Sequence, residues 1–375
     1  MLVKFWVALL LPAAISACSL PRPWLAPAQT AACDTSLDAD DALLTVSFRL
    51  PDCREGRLRG WTYFRSERPQ FSTTGFDLQT SDLQTSMVSS VDWNAELDRR
   101  VVLAGESPVI YIHGYFNSQD DAHRRALGVR ALLCPRQTAA DLRAVAACRP
   151  KRPVVALTWP SHDKLAKYTW DEANAEWAID RAVEQILTIA RRHEGTILVA
   201  HSMGNRILVA TAMAAKNEPR LFGHLILAAP DVDRVQITEL LKRKEGLGFQ
   251  ATIYASRKDQ ALSASWRAHG YPRAGDLSLW VSGRRPGHPY REINQAVVVD
   301  TTDVSAGQVA HAAFVQSEEG AADLCRVLAG FTEDGLKLGR EKDAQYPGYA
   351  ALISNPKEAD DCSRLAKAAA RVARG

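Results

Sequence analysis

Ser202 sits in the pentad Ala200-His201-Ser202-Met203-Gly204, directly after the apolar run Thr196 to Ala200 and directly before the helical pattern Asn205 to Ala215. That order reads strand, sharp turn, helix. Small residues two places either side of a serine let the chain bend tightly enough to raise the hydroxyl above a sheet, where it can act as a nucleophile. The following helix would present free amides and its positive dipole end to an anionic intermediate. Acyl transfer through a covalent serine intermediate is the chemistry this spacing predicts.

Such a nucleophile needs donors for the oxyanion, a base, and an acid that orients the base. The segment Val109 to Phe116 (VIYIHGYF) ends a strand in His-Gly-aromatic, so the backbone amides of Tyr115, Phe116 and Met203 are the expected donors. Gly114 permits the turn, and His113, which precedes the nucleophile, is expected to hold the loop. Among the nine histidines, His269, His288 and His311 follow both Ser202 and the next strand. Only His311 also follows the last strand, which makes it the expected base, with His269 in reserve. His201, adjacent to Ser202 at a sharp turn, reads as packing. Asp259, after the strand next but one from the turn, is the expected acid; Asp231 is the alternative, and Asp300 and Asp303 rank below both. No C-x-x-C or H-E-x-x-H spacing occurs, so neither cofactor nor metal is expected.

The elements that must position these residues begin at Pro108. Short β-branched runs at Val109 to Ile112, Val154 to Thr158, Ile197 to Ala200, His224 to Ala228, Ala251 to Ala255 and Ala296 to Asp300 alternate with helical stretches. The pattern predicts an α/β fold with a mostly parallel central sheet and helices on both faces. Ile179, Ala182, Val183, Ile186 and Ile189 recur at helical spacing, as on a helix packed against that sheet. Leu43 to Leu50 and Leu58 to Arg65 read as earlier strands, and Ser72 to Ser90 as irregular structure. Trp159, Tyr168, Trp170 and Trp177 form either an apolar wall over the site or ordinary packing.

Composition excludes some functions. With 46 basic against 43 acidic residues and a net charge of +3, the chain has no electrostatic footprint for nucleic acid. Lys4 followed by the apolar run Phe5 to Ile15 is too short to span a bilayer and reads as a signal peptide. Ile15-Ser16-Ala17-Cys18 matches a bacterial lipobox, predicting lipidation of Cys18, and Ser19 is like the residue found there in outer-membrane lipoproteins. The expected organisation is a signal peptide over 1–17, a lipidated Pro/Ala-rich tether over 18–33, an enzyme domain over 34–335, and a C-terminal extension over 336–375 with a basic helix. Removing Cys18 from the seven cysteines leaves an even set that suits disulfides in an exported protein. Proximity favours Cys33 with Cys53, Cys134 with Cys148, and Cys325 with Cys362.

The motifs VIYIHGYFNSQDDAHRRA (109–126), ALTWPS (156–161), ILVAHSMGNRIL (197–208), LILAAPDVDR (225–234), TIYASRKDQAL (252–262), PRAGD (272–276) and the late His311 occur in an order that resembles a bacterial family of α/β hydrolases of unknown function, DUF900. The resemblance implies the α/β-hydrolase fold and places Ser202, Asp259 and His311 as the triad, with Asp231, Asp233 and Arg257 at family positions of undecided role. Where the family usually reads Gly-His, this chain has Ala310-His311. The resulting expectation is an envelope-anchored serine esterase acting on a small-molecule or lipid ester. An amidase or peptidase on the same triad, a non-catalytic envelope lipoprotein that binds a partner on a hydrolase scaffold, and a cofactor-free non-hydrolytic enzyme are the rivals.

Overall fold

The strands, apolar and β-branched in the middle of the sheet and more polar at β2, β3 and β10, are β1 (Leu43–Ser47), β2 (Ser72–Gln79), β3 (Asp82–Val88), β4 (Val109–Ile112), β5 (Val154–Thr158), β6 (Thr196–His201), β7 (Phe222–Ala228), β8 (Gln250–Ala255), β9 (Ala296–Asp300), β10 (Arg340–Lys342) and β11 (Tyr349–Leu352). The α-helices are α1 (Ser90–Ala104), α2 (Gln119–Leu132), α3 (Tyr168–Arg192), α4 (Asn205–Ala214), α5 (Arg234–Leu241), α6 (Gln260–His269), α7 (Ala313–Gln316), α8 (Glu318–Leu328), α9 (Glu333–Leu336) and α10 (Asp361–Arg374). This computed structural model describes residues 43–48, 72–79, 82–88, 90–134, 145, 148–162, 165–242, 249–278, 296–304, 310–331, 333–342, 348–354 and 360–374. The expected signal peptide, Cys18, the expected tether, the strand expected at Leu58 to Arg65, His288 and the expected Cys33–Cys53 pair lie outside those residues.

All strands join one 11-stranded sheet in the order β10-β11-β9-β8-β7-β6-β4-β5-β1-β2-β3. Pairing is parallel from β11 across to β1 and antiparallel only at the margins, where β2, β3 and β10 lie. The order reverses at β4, which sits between β5 and β6 although it precedes both. Connections therefore leave β4 and β6 on opposite sides of the sheet and open a crevice beyond their carboxyl ends, the place where such sheets bind ligands.

The strands β4, β5 and β6 are buried along their whole length and covered on both faces, as their continuous apolar character requires. Ile110, Ile112, Leu198 and Ala200 point into a core shared with Ala175, Ala182 and Ile186 of α3 and Ile207 of α4. Val109, Tyr111, Ile197 and Val199 point into the other, with Leu127 of α2, Leu324 of α8 and Ala366 and Ala369 of α10. Residues 336–375, set apart in sequence as an extension, supply β10 and β11 to the same sheet and an α10 that packs on α2 and α8. That edge is pinned by Arg340, whose guanidinium donates to both oxygens of buried Asp323 at 2.6 and 2.7 Å, while the Tyr254 hydroxyl donates to Asp323 at 2.8 Å.

Ser72 to Ser90 is not irregular. It contains the hairpin β2–β3, with Gln79 opposite Asp82, and leads into α1. Phe76 and Leu78, then Leu83, Thr85 and Met87, fall at every second position, a strand period that the polar Ser/Thr/Gln content conceals. Among the described residues no helix is long and apolar enough to cross a membrane.

Cys134 joins Cys148 and Cys325 joins Cys362, as proximity in sequence suggested. The second bridge fastens α10 to α8 across 37 residues of chain. Closing a loop of that length restricts the unfolded chain by about 3–4 kcal/mol in the chain-entropy account. Cys362→Ser should therefore lower unfolding free energy by about that amount, measured by denaturant titration beside the oxidised wild type.

Candidate active site

β6 runs without a linker into a 3-10 turn, Ser202–Gly204, and then into α4. The turn is sharp because Ser202 takes φ 52°, left-handed backbone that costs a non-glycine residue about 1–3 kcal/mol and persists only when its surroundings impose it. Asn205 imposes it. Its side-chain amide reaches the carbonyls of Ala200 at 3.1 Å, Ser202 at 3.0 Å and Ala228 at 3.3 Å, tying the turn to the ends of β6 and β7. The Asp231 amide donates to the Ser202 carbonyl at 3.2 Å.

The loop after β4 lies against this turn with no room for side chains between them. A Cβ on Gly204 would stand 2.4 Å from the His113 carbonyl oxygen, and one on Gly114 would stand 2.7 Å from Cβ of Ser202. His113 is fully buried and stacks on Trp159, centroids 4.9 Å apart. Its Nε2 accepts from the Trp159 amide at 3.0 Å, so the ring proton is on Nδ1 and is donated to the Gly114 carbonyl at 2.8 Å. The Trp159 indole N–H donates to the His113 carbonyl at 2.8 Å. Trp159 is thus a core support of this loop and not a wall of the site. Its polar edge and the histidine ring satisfy each other in the interior.

Asn117 fixes the direction of the expected oxyanion donors. Its side-chain amide donates to the carbonyls of Gly114 at 3.0 Å and Tyr115 at 2.7 Å. In a trans peptide the N–H points opposite to the carbonyl, so the amides of Tyr115 and Phe116 are turned away from Asn117. Phe116 takes φ 58° to complete the bend. Met203 lies in the first helical turn after β6, where amides have no intrahelical partner.

Asp259 is 1% exposed and divides its two oxygens. Oδ1 accepts the Leu262 amide at 3.0 Å and caps α6, while Oδ2 lies 2.7 Å from Nδ1 of His311. Burial pushes the His311 pKa down, but the charge and hydrogen bond of Asp259, joined by the charge of Asp231, outweigh it and hold the imidazole above its ordinary value. Ala310 takes φ 53°, a conformation that glycine adopts without strain, so the alanine here occupies glycine-type backbone. Ser202 is 4% exposed, and among the described residues no hydrogen bond joins its hydroxyl to His311.

The other candidates have different partners. Asp231 accepts from the Tyr168 hydroxyl at 2.6 Å, the Ser265 hydroxyl at 2.6 Å and Nε of Arg273 at 2.9 Å, and its described bonds include no histidine. His269 uses Nε2 on Glu172 at 2.9 Å and Nδ1 on the Ser265 carbonyl at 2.7 Å, away from Asp259. Asp233 caps α5 through the Val235 amide at 2.9 Å. Arg257 pairs with Asp300 at 2.6 Å, and Asp300 also accepts from the hydroxyls of Thr302 and Tyr349. Asp303 lies at the surface, 3.9 Å from Lys258.

A second carboxylate–imidazole pair, Asp171 with His162 at 2.5 Å, closes the loop after β5 onto α3; Asp171 accepts the Ser161 hydroxyl there at 2.6 Å as well. Tyr168 donates its hydroxyl inward to Asp231, whereas Trp170 and Trp177 are half-buried under Lys167 and Arg181, 3.6 and 4.7 Å from their ring centres. Among the described residues no group of three or more His, Cys, Asp or Glu side chains is arranged to hold a metal ion.

Asn117 and Asn205 are the positioning residues that sequence reasoning missed. Both stand within three residues of a motif glycine or serine, and a short amide side chain beside a sharp turn is the signal that marks them.

No curated protein matches the chain. A family profile does match, over residues 92–327, which is more than half of the sequence and spans every strand from β4 to β9. The parallel sheet, the turn at Ser202 and that match agree: the chain belongs to the family described as alpha/beta hydrolase of unknown function (DUF900).

Proposed function

We propose that this protein is a serine hydrolase that cleaves a carboxylic ester through an acyl-enzyme on Ser202, with His311 as base and Asp259 as the acid that orients it. The observation that carries the reading is the 2.7 Å bond between His311 and an Asp259 whose other oxygen is fixed on a helix terminus. An imidazole so held keeps its proton on Nδ1 and offers a bare Nε2 to a hydroxyl.

Substrate brings Ser202 Oγ and His311 Nε2 together, a contact that often tightens only in the complex. Oγ attacks the ester carbon as its proton passes to Nε2, and the carbonyl electrons move to oxygen. The amides of Met203 and of Tyr115 or Phe116 receive that charge. Collapse breaks the bond to the alkoxy oxygen, which leaves as the alcohol with the proton from His311. Water, deprotonated by the same imidazole, then releases the acid and restores Ser202. Asp259 holds charge opposite the imidazolium throughout and moves no proton itself.

Support for a lipid-derived ester comes from the expected anchor. We propose that Cys18 carries a diacylglyceryl group that tethers the enzyme domain to the cell envelope, at the outer membrane. Metabolic labelling with palmitate should mark the wild type and not Cys18→Ser; a label retained in the variant removes the anchor.

A fluorophosphonate probe should label wild-type protein and not Ser202→Ala, and hydrolysis of p-nitrophenyl esters across acyl lengths should then report the pocket. A folded wild type that takes no label and turns over no ester would favour the binding-scaffold rival. Because the base works deprotonated and His311 is held above its ordinary value, kcat/KM should rise with pH along a limb centred above about 6.5. Asp259→Asn should move that limb to lower pH and cut kcat by about a thousandfold or more, read from the pH–rate profile.

A further inference from the structure

His201, next to Ser202, is 2% exposed, and both of its ring nitrogens are occupied. Nδ1 lies 3.3 Å from Nη1 of Arg125 on α2, and Nε2 lies 3.1 Å from the carbonyl oxygen of His311. A guanidinium has only donors, so Nδ1 is the acceptor and the single ring proton sits on Nε2, donated to the His311 carbonyl. Burial, then the positive charges of His311 and Arg125, push the His201 pKa well down, which keeps the ring neutral and this tautomer fixed. Its face lies 4.8 Å from the His311 ring and 5.3 Å from Phe314, centre to centre.

We propose that Arg125 and His201 form a positioning pair for the base: Arg125 selects the tautomer of His201, His201 anchors the backbone of His311, and the Arg125 charge opposes that of Asp259. This rests on the reading of Ser202 as nucleophile and His311 as base. The anchor is needed where it is found. His311 follows Ala310, whose φ of 53° makes this stretch costly to hold, and the His201 bond clamps the very next carbonyl. The charge has work to do as well. The groups facing His311 are Asp259 before α6, Asp231 after β7, Arg125 on α2 and His201 at the end of β6. The two carboxylates favour imidazolium, and Arg125 is the cation that pulls the other way.

The test is hydrolysis of p-nitrophenyl acetate between pH 5.5 and 9 by the full chain, with fluorophosphonate labelling rates measured on the same samples. Arg125→Met should shift the acid limb of kcat/KM to higher pH, giving roughly a three- to tenfold loss at pH 6 that shrinks below about twofold at pH 8. His201→Phe keeps the ring packing but neither hydrogen bond. It should lower kcat about ten- to a hundredfold with KM within about twofold, and His201→Gln, which can again donate to the His311 carbonyl, should recover part of the loss.

Unchanged profiles in a labelled Arg125→Met enzyme would overturn the pair. So would a loss confined to KM with no shift of the limb, which would make Arg125 a substrate contact. If His201→Phe does not fold, Arg125→Met decides alone. A wild type unlabelled at Ser202 overturns the nucleophile reading and the pair together, and is seen before any variant is made.

Discussion

Two loops that occupy each other's space set the geometry of this molecule. Neighbouring parallel strands β4 and β6 end side by side, Ile112 opposite Ala200, and each continues into a turn that the other packs against. Gly204 meets the His113 carbonyl and Gly114 meets Ser202, both closer than any Cβ allows. The loop after β4 cannot drift from the serine because there is no space in which to drift. Around that contact lie supports that would be unnecessary in a looser site: His113 stacked on Trp159 beneath one loop, Asn205 bonded to three carbonyls beneath the other. A left-handed serine is stable here because these contacts outweigh its strain.

Buried carboxylates form the next layer. Asp231, Asp259, Asp300 and Asp323 are each at most 2% exposed, and each is satisfied by several donors, as isolated buried charge would be prohibitively costly. Asp300 and Asp323 fasten the β9 to β11 side of the sheet through Arg257, Tyr349, Arg340 and Tyr254. Asp231 joins α3 to α6 through Tyr168 and Ser265. Asp259 differs in giving one oxygen to the backbone and the other to a partly accessible imidazole.

Much of this was legible in sequence because the central strands are buried and so read as apolar runs. β4 through β9 lie within two residues of where those runs predict them, and the turn at Ser202 follows from small residues at fixed offsets. The pairing of His311 with Asp259 followed from chain order in the fold. What stayed hidden was of another kind. The β2–β3 hairpin uses Ser, Thr and Gln on alternate positions, so polarity masked its period. Asn117, Asn205 and the His113–Trp159 stack act on backbone carbonyls brought close only by the folded chain. No local pattern announces a hydrogen bond between residues 46 apart, such as that of His113 with Trp159. The tautomer of His201 likewise depends on an arginine 76 residues away.

The position of α10 bears on how fast the molecule can fold. Helix α2, which carries Arg125, packs against α10, whose first residue, Asp361, lies far along the chain from Leu132 at the end of α2. Ala366 and Ala369 belong to the core on that face of the sheet, along with Leu127 and Leu324. Segments so far apart in sequence must meet before this face gains its cover, and the entropy of closing a long loop is lost before those contacts form. That separation raises contact order, which slows folding relative to a chain whose core closes on neighbouring elements.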